Sequence, residues 1–232
     1  MPQRLREGSV GHLLPRGPAA CSIGEGTDGP GANAMPSQRT DQIARAAARL
    51  ISTGRARTIA EALRAARDTM GWHDVQMPAY TLVRKHAGAM AMQAMGAEGY
   101  AERVRQVQRV AERLMTVLAE GMPDIEPLLV GRVAKGLIDA GATIHIRLYT
   151  RAPIADVARA LIGFGYEEPD FETINTRHGR LSRMRMSDDG IDVVLTRCLP
   201  EMEAEAHVDL FTDRPIETAT LHDLRKKLAE GE

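Results

Sequence analysis

The chain has 232 residues, is 44% apolar, and carries 30 Lys and Arg against 31 Asp and Glu, for a formal net charge of −1. That length accommodates one large domain or two small ones, and the apolar fraction can fill an ordinary core, which excludes a fibrous or wholly unfolded chain. No run approaches the roughly 18 to 20 consecutive apolar residues of a membrane helix, and Cys21 and Cys198 lie far apart with no C-x-x-C spacing; the chain therefore reads as cytoplasmic, without a disulfide framework or a zinc knuckle.

Residues 1 to 36 are rich in Gly, Pro and Ser, show no apolar period, and are expected to be disordered. From Gln38 to Ser52 an Ala- and Arg-rich run places Ile43, Ala47, Leu50 and Ile51 on one side of a helix. A second helix opens at Thr58, where T-I-A-E forms a capping box: the Thr58 hydroxyl takes an orphan amide and Glu61 reaches back. Its stripe is Ile59, Ala62, Leu63, Ala66 and Met70, and Gly71 closes it. Pro78 starts a third helix through Leu82, Val83, His86 and Met90 to Gly96, so residues 37 to 96 read as a small three-helix unit. Between Pro36 and Met95 nine basic residues stand against four acidic ones, a bias of +5 that fits either solvated helix faces or contact with a polyanion.

Gly99 to Glu120 is predicted as a long helix, because Tyr100, Val104, Val107, Ala111, Leu114 and Leu118 recur at spacings of four and three. That stripe needs a cover, either the sheet that follows or the same helix of a second copy in a homodimer. After Pro123 the pattern becomes strand, helical turn, strand: Ile125 to Val130, Val133 to Ile138, then Thr143 to Tyr149. In the last of these Ile144, Ile146 and Leu148 share one face, and Thr143, His145, Arg147 and Tyr149 the other. A helix over Ile154 to Phe164, strands at Phe171 to Asn175, Arg180 to Met186 and Ile191 to Arg197, and a final helix from Leu221 to Ala229 capped by Thr220 complete an α+β reading: a small helical unit, then a mixed sheet flanked by helices over residues 97 to 232.

The segment LLVGRVAKGLIDAGATIHIRLYT carries the candidate chemistry. A strand ending in Gly131, a short helical turn and a second strand with polar residues facing outward make a cradle in which amides and side chains can meet a phosphate. This order of elements resembles the nucleotidyltransferase fold of polymerase beta, kanamycin nucleotidyltransferase and the minimal nucleotidyltransferases, whose signature is an apolar residue, Gly, Gly or Ser, about ten further residues, then Asp-apolar-Asp. Val130 and Gly131 match its opening, Arg132 replaces the second small residue, and Thr143 and His145 occupy the two acidic positions. Asp192 in GIDVVLT is the counterpart of the third family carboxylate.

The resemblance implies a nucleotide such as ATP and Mg2+ as ligands, but it also meets a physical objection. Magnesium prefers oxygen donors, and nucleotidyl transfer uses paired carboxylates to hold two such ions. Thr143, His145 and Asp192 supply a single formal negative charge, so standard two-metal catalysis is not expected. The expected protein is nucleotidyltransferase-like, with a nucleotide- or anion-binding or regulatory role. Gly131, Arg132, Lys135, Thr143, Arg183 and Arg185 are its candidate ligand-binding residues, and His145 and Asp192 the residues on which any catalysis would depend. One alternative is an active transferase or ligase that recruits Asp139, Asp192 or Asp209 to the cleft. A fainter resemblance is to the UDP-N-acetylmuramate–alanine ligase (Mur-type) family, whose G-x-x-G-K-[ST] loop GRVAKGL does not reproduce. Another alternative is a nucleic-acid-binding module of helix-turn-helix type reading through Tyr80, Arg84 and Lys85. Cys198 has no activating neighbour in sequence and is expected to be inert.

Overall fold

The computed structural model describes residues 36–139 and 141–230; the reading of residues 1–35, Cys21 among them, falls outside these. Met35–Glu232 is one compact unit. It opens with helices α1 (Pro36–Ser52) and α2 (Ile59–Met70). The start of α2 follows the capping chemistry of its sequence, with the Glu61 amide donating to the Thr58 hydroxyl at 3.2 Å. The Glu61 carboxylate accepts from the Arg57 amide at 3.0 Å, one residue earlier than a standard box.

Helix α3 (Tyr80–Gly121) is two helices joined at Gly96, whose φ of 73° and ψ of 169° are non-helical. That region of conformational space is open essentially to glycine alone. A Cβ at Gly96 would meet nothing within 4 Å, so the requirement lies in the backbone and not in packing. Gly96→Ala is expected to lower stability by about 1–3 kcal/mol, measured by urea denaturation; unchanged stability would show that the break is not needed. The half before Gly96 packs with α1 and α2 around Ile43, Leu63, Ala66, Val83 and Ala87. The half after it presents Tyr100, Val107, Ala111, Leu114 and Leu118 to the sheet. The stripe predicted on this helix is thus covered by its own chain and is not left for a second copy.

Strands β1 (Glu126–Val130), β2 (Thr143–Tyr149), β3 (Asp170–Thr176), β4 (Gly179–Asp188), β5 (Ile191–Cys198) and β6 (Thr218–Ala219) form one sheet in the order β3-β4-β5-β2-β1-β6. β2 and β5 run parallel, and the other neighbours are antiparallel. The sheet is mixed and the fold α+β. Strand β6 had no sequence signal, since two residues cannot display a period.

Alternation in β2 sets the two faces of the sheet. Ile144, Ile146, Leu148, Val193, Leu195 and Met184 lie under the second half of α3, under α4 (Ile154–Gly163) and under α5 (Leu221–Glu230). On the opposite face Tyr149, Cys198 and Leu181 are covered by Ala206 and Leu210, which follow a 3-10 helix at Pro200–Glu205. Arg147 fastens that cover: it is 4% exposed, and its guanidinium donates to the carbonyls of Ala206 at 3.0 Å and Val208 at 2.9 Å. Burial pushes the Cys198 thiol up to about 11, which keeps it protonated and unreactive at neutral pH.

Candidate functional site

The cover stops short of the other end of this face, and the sequence-predicted residues gather there. Parallel pairing of β2 with β5 sets Thr143 opposite Asp192 and His145 opposite Val194. On the other side of β2, His145 lies opposite Val130, the last residue of β1. Antiparallel pairing of β5 with β4 then brings Ser187 beside Asp192, Arg185 beside Val194 and Arg183 beside Thr196. Thr143, His145, Asp192, Arg183 and Arg185 therefore share one face across three adjacent strands, with neighbouring strands about 4.8 Å apart.

A third cation, from the helical unit, acts on this face electrostatically. Gly88 of α3 lies so close to the β1–β2 connection that a Cβ there would fall 3.1 Å from Arg132 Nη2 and 3.4 Å from the Ile138 carbonyl. Arg84 is one turn away on the same side of the helix. Its charge is felt at His145, together with those of Arg183 and Arg185.

His145 is exposed, yet the surrounding chain still partly desolvates its ring. Desolvation, reinforced by Arg183, Arg84 and Arg185, lowers its pKa from 6.5 to about 4. The solvated edge tempers the contribution of burial, while the three cations act in the same direction. The imidazole is accordingly neutral at pH 7. Since the unfolded ring binds more protons between about pH 4 and 6.5, its contribution to stability is complete above that window and falls as pH drops through it. NMR titration of the imidazole is expected to give a midpoint well below 6.5 that rises in Arg183→Ala; a wild-type midpoint at or above 6.5 would contradict this electrostatic picture.

The other candidates are engaged elsewhere. The Gly131 amide, expected to face an anion, donates to the Glu217 carbonyl at 2.8 Å. Residues 132–136 make only a turn of helix, too short to focus a dipole on a ligand. Arg132 donates to the Ile138 carbonyl at 3.3 Å and stands 3.8 Å from Asp139. Lys135 meets Glu217 at 3.3 Å. Tyr100 both donates to the Ile138 carbonyl and accepts from its amide, each at 3.0 Å, so the connection is held from α3. Asp209 accepts from the amides of Phe211 and Thr212, both at 2.9 Å, and closes its own turn.

One member of the face was not singled out in the sequence. Glu172 on β3 lies opposite Arg183, and its Oε1 accepts from Arg183 Nη1 and Arg185 Nε, each at 3.0 Å. The hairpin register carries the signal: with Thr176 paired to Gly179 at the tip, counting back along both strands sets Glu172 against Arg183.

The donor set does not fit a pair of magnesium ions. Asp192 is the acid paired with Thr143, Glu172 is held by two guanidiniums, and among the described residues no three His, Cys, Asp or Glu side chains stand close enough to hold a metal.

No protein-family model and no curated protein matches the chain. Among solved structures it is similar to a cytoplasmic RNA terminal U-transferase, with 16% identity, 42% of this chain and 34% of that one covered, and a TM-score of 0.30. It is likewise similar to the GLD-2/RNP-8 complex, with 16% identity, coverage of 45% and 34%, and a TM-score of 0.30. A third similar structure is Cid1, an RNA terminal uridylyl transferase, with 12% identity, coverage of 43% and 35%, and a TM-score of 0.29. The chain spans about a third of the length of each. Overlap this slight identifies no family, and the chemistry of the face has to be read from its own residues.

Proposed function

We propose that this chain is a nucleotidyltransferase-like protein whose exposed sheet face binds the phosphates of a nucleotide such as ATP, as a binding or regulatory module, without two-metal transfer. The observation that carries the reading is the exchange of charge on that face. Thr143 and His145 stand where the resembled family keeps carboxylates, and Arg183 and Arg185 lie on the same face two strands away. Support for the nucleotidyltransferase likeness comes from the order of elements: β1 ends at Val130, Gly131 and a turn follow, and β2 and β5 set Thr143 and Asp192 side by side. Guanidinium forks match phosphate oxygens bidentately, and a neutral His145 adds a hydrogen-bonding group with no competing charge.

Calorimetric titration of the full chain with ATP at low ionic strength, with no divalent metal, tests this. Saturable binding that weakens as salt rises is expected; absence of binding for both ATP and pyrophosphate would end the proposal.

A second reading is nucleic-acid binding through the helical unit. Tyr80 is 52% exposed, and Arg84 and Lys85 are exposed and make no ion pair with a described residue. Against it, residues 71–79 separate α2 from α3, whereas a helix-turn-helix joins its helices by a turn of roughly three to four residues. Steep salt dependence of RNA or DNA binding that is abolished by Lys85→Ala would favour this reading over the first.

A further inference from the structure

Resting on that reading, we propose that Glu172 is a resident counter-anion of the site, occupying Arg183 and Arg185 until a condensed phosphate displaces it. The geometry of the three side chains supports this. A single carboxylate oxygen serves two guanidiniums, leaving a net positive charge and much of their donor capacity unused. The Nε of Arg183 is buried and has no hydrogen-bond partner. Asp170, opposite Arg185 in register, makes no hydrogen bond or ion pair with it. Among the described residues, Glu172 is the acid that pairs with these two cations.

Its position allows it to leave. Strand β3 is at the edge of the sheet, with β4 as its one neighbouring strand among the described residues. The Glu172 side chain is 36% exposed and can swing into water without opening the core. The Arg185 side chain is 53% exposed and can turn with an incoming ligand. A phosphate group brings three oxygens where Glu172 engages the pair through one, so it can use donors that the carboxylate leaves idle. Orthophosphate replaces one anion by another for a modest gain. A chain of two or three phosphates also extends beyond the Arg183–Arg185 pair toward the charge of Arg84, which acts on His145 of the same face. Glu172 thus sets a threshold that selects polyanions over single anions.

The test is calorimetric titration of the full chain with sodium tripolyphosphate and with orthophosphate, in wild type, Glu172→Gln, Glu172→Thr and Arg84→Ala. Removing the competing charge in either Glu172 variant is expected to tighten tripolyphosphate binding by about tenfold. Arg84→Ala is expected to weaken tripolyphosphate and leave orthophosphate unchanged. Thermal denaturation confirms that each variant is folded, and Thr suits an edge strand if Gln does not. If wild type binds tripolyphosphate and both Glu172 variants bind it equally or more weakly, the counter-anion role is overturned while the phosphate-binding reading stands. If neither wild type nor the Glu172 variants bind, both fail together.

Discussion

Arg147→Ala is expected to lower the stability of the folded chain by roughly 2 to 5 kcal/mol, among the largest effects of any single substitution. The guanidinium is 4% exposed and is the hydrogen-bond partner of the Ala206 and Val208 carbonyls over the covered end of the sheet. Alanine leaves both acceptors unmatched and opens a cavity beneath them, and each loss is costly in a site shielded from water. For a chain of this size each kcal/mol lowers the melting temperature by roughly 2–4 °C, so calorimetry should show a clear shift. Arg147→Met separates the contributions: it fills the space but offers no donor. A melting temperature close to the alanine variant shows that the carbonyl contacts dominate. One close to wild type shows that the cost of burying the charge had offset them.

Arg183→Ala should weaken binding of ATP or tripolyphosphate by about 10- to 100-fold, because a charge-assisted hydrogen bond contributes more than a neutral one. The fold should tolerate the change: Glu172 keeps its bond to Arg185, and the nearby Met184 and Leu181 stay in their apolar clusters. Arg183→Lys is the informative companion, since it retains charge and loses the planar fork. An intermediate affinity points to bidentate recognition; full retention points to charge alone. Unchanged affinity in the alanine variant would remove Arg183 from the site.

Legibility in the sequence followed the range of the interactions involved. Strand β2 was predicted as Thr143 to Tyr149 and occupies those residues, because its alternation is written locally. The break between the helical unit and the long helix was marked by Gly96, where a backbone requirement admits one residue type. Opposition of Thr143 and Asp192 could be anticipated only through the resemblance, because parallel pairing joins segments far apart in the chain and no local pattern encodes their register. Gly131 was correctly placed in a turn, but its amide is taken by the carbonyl of Glu217, the residue before a strand too short to announce itself. Arg84 was singled out with Tyr80 and Lys85 on the candidate recognition helix of a helix-turn-helix; that its charge also acts on His145 depends on a tertiary approach of α3 that no local pattern encodes. Glu172 was legible in principle, since a hairpin tip fixes every pair behind it, but acidic residues on an edge strand ordinarily read as solubilising charge.

The most direct measurement is the affinity of the full chain for ATP with and without magnesium, followed in parallel with AMP release. Recognition by arginines predicts tight binding to the free nucleotide, weaker binding once magnesium neutralises the phosphates, and no turnover in either case. Binding that requires magnesium, or transfer of AMP that depends on Asp192, would contradict a cationic phosphate site and restore metal-assisted catalysis.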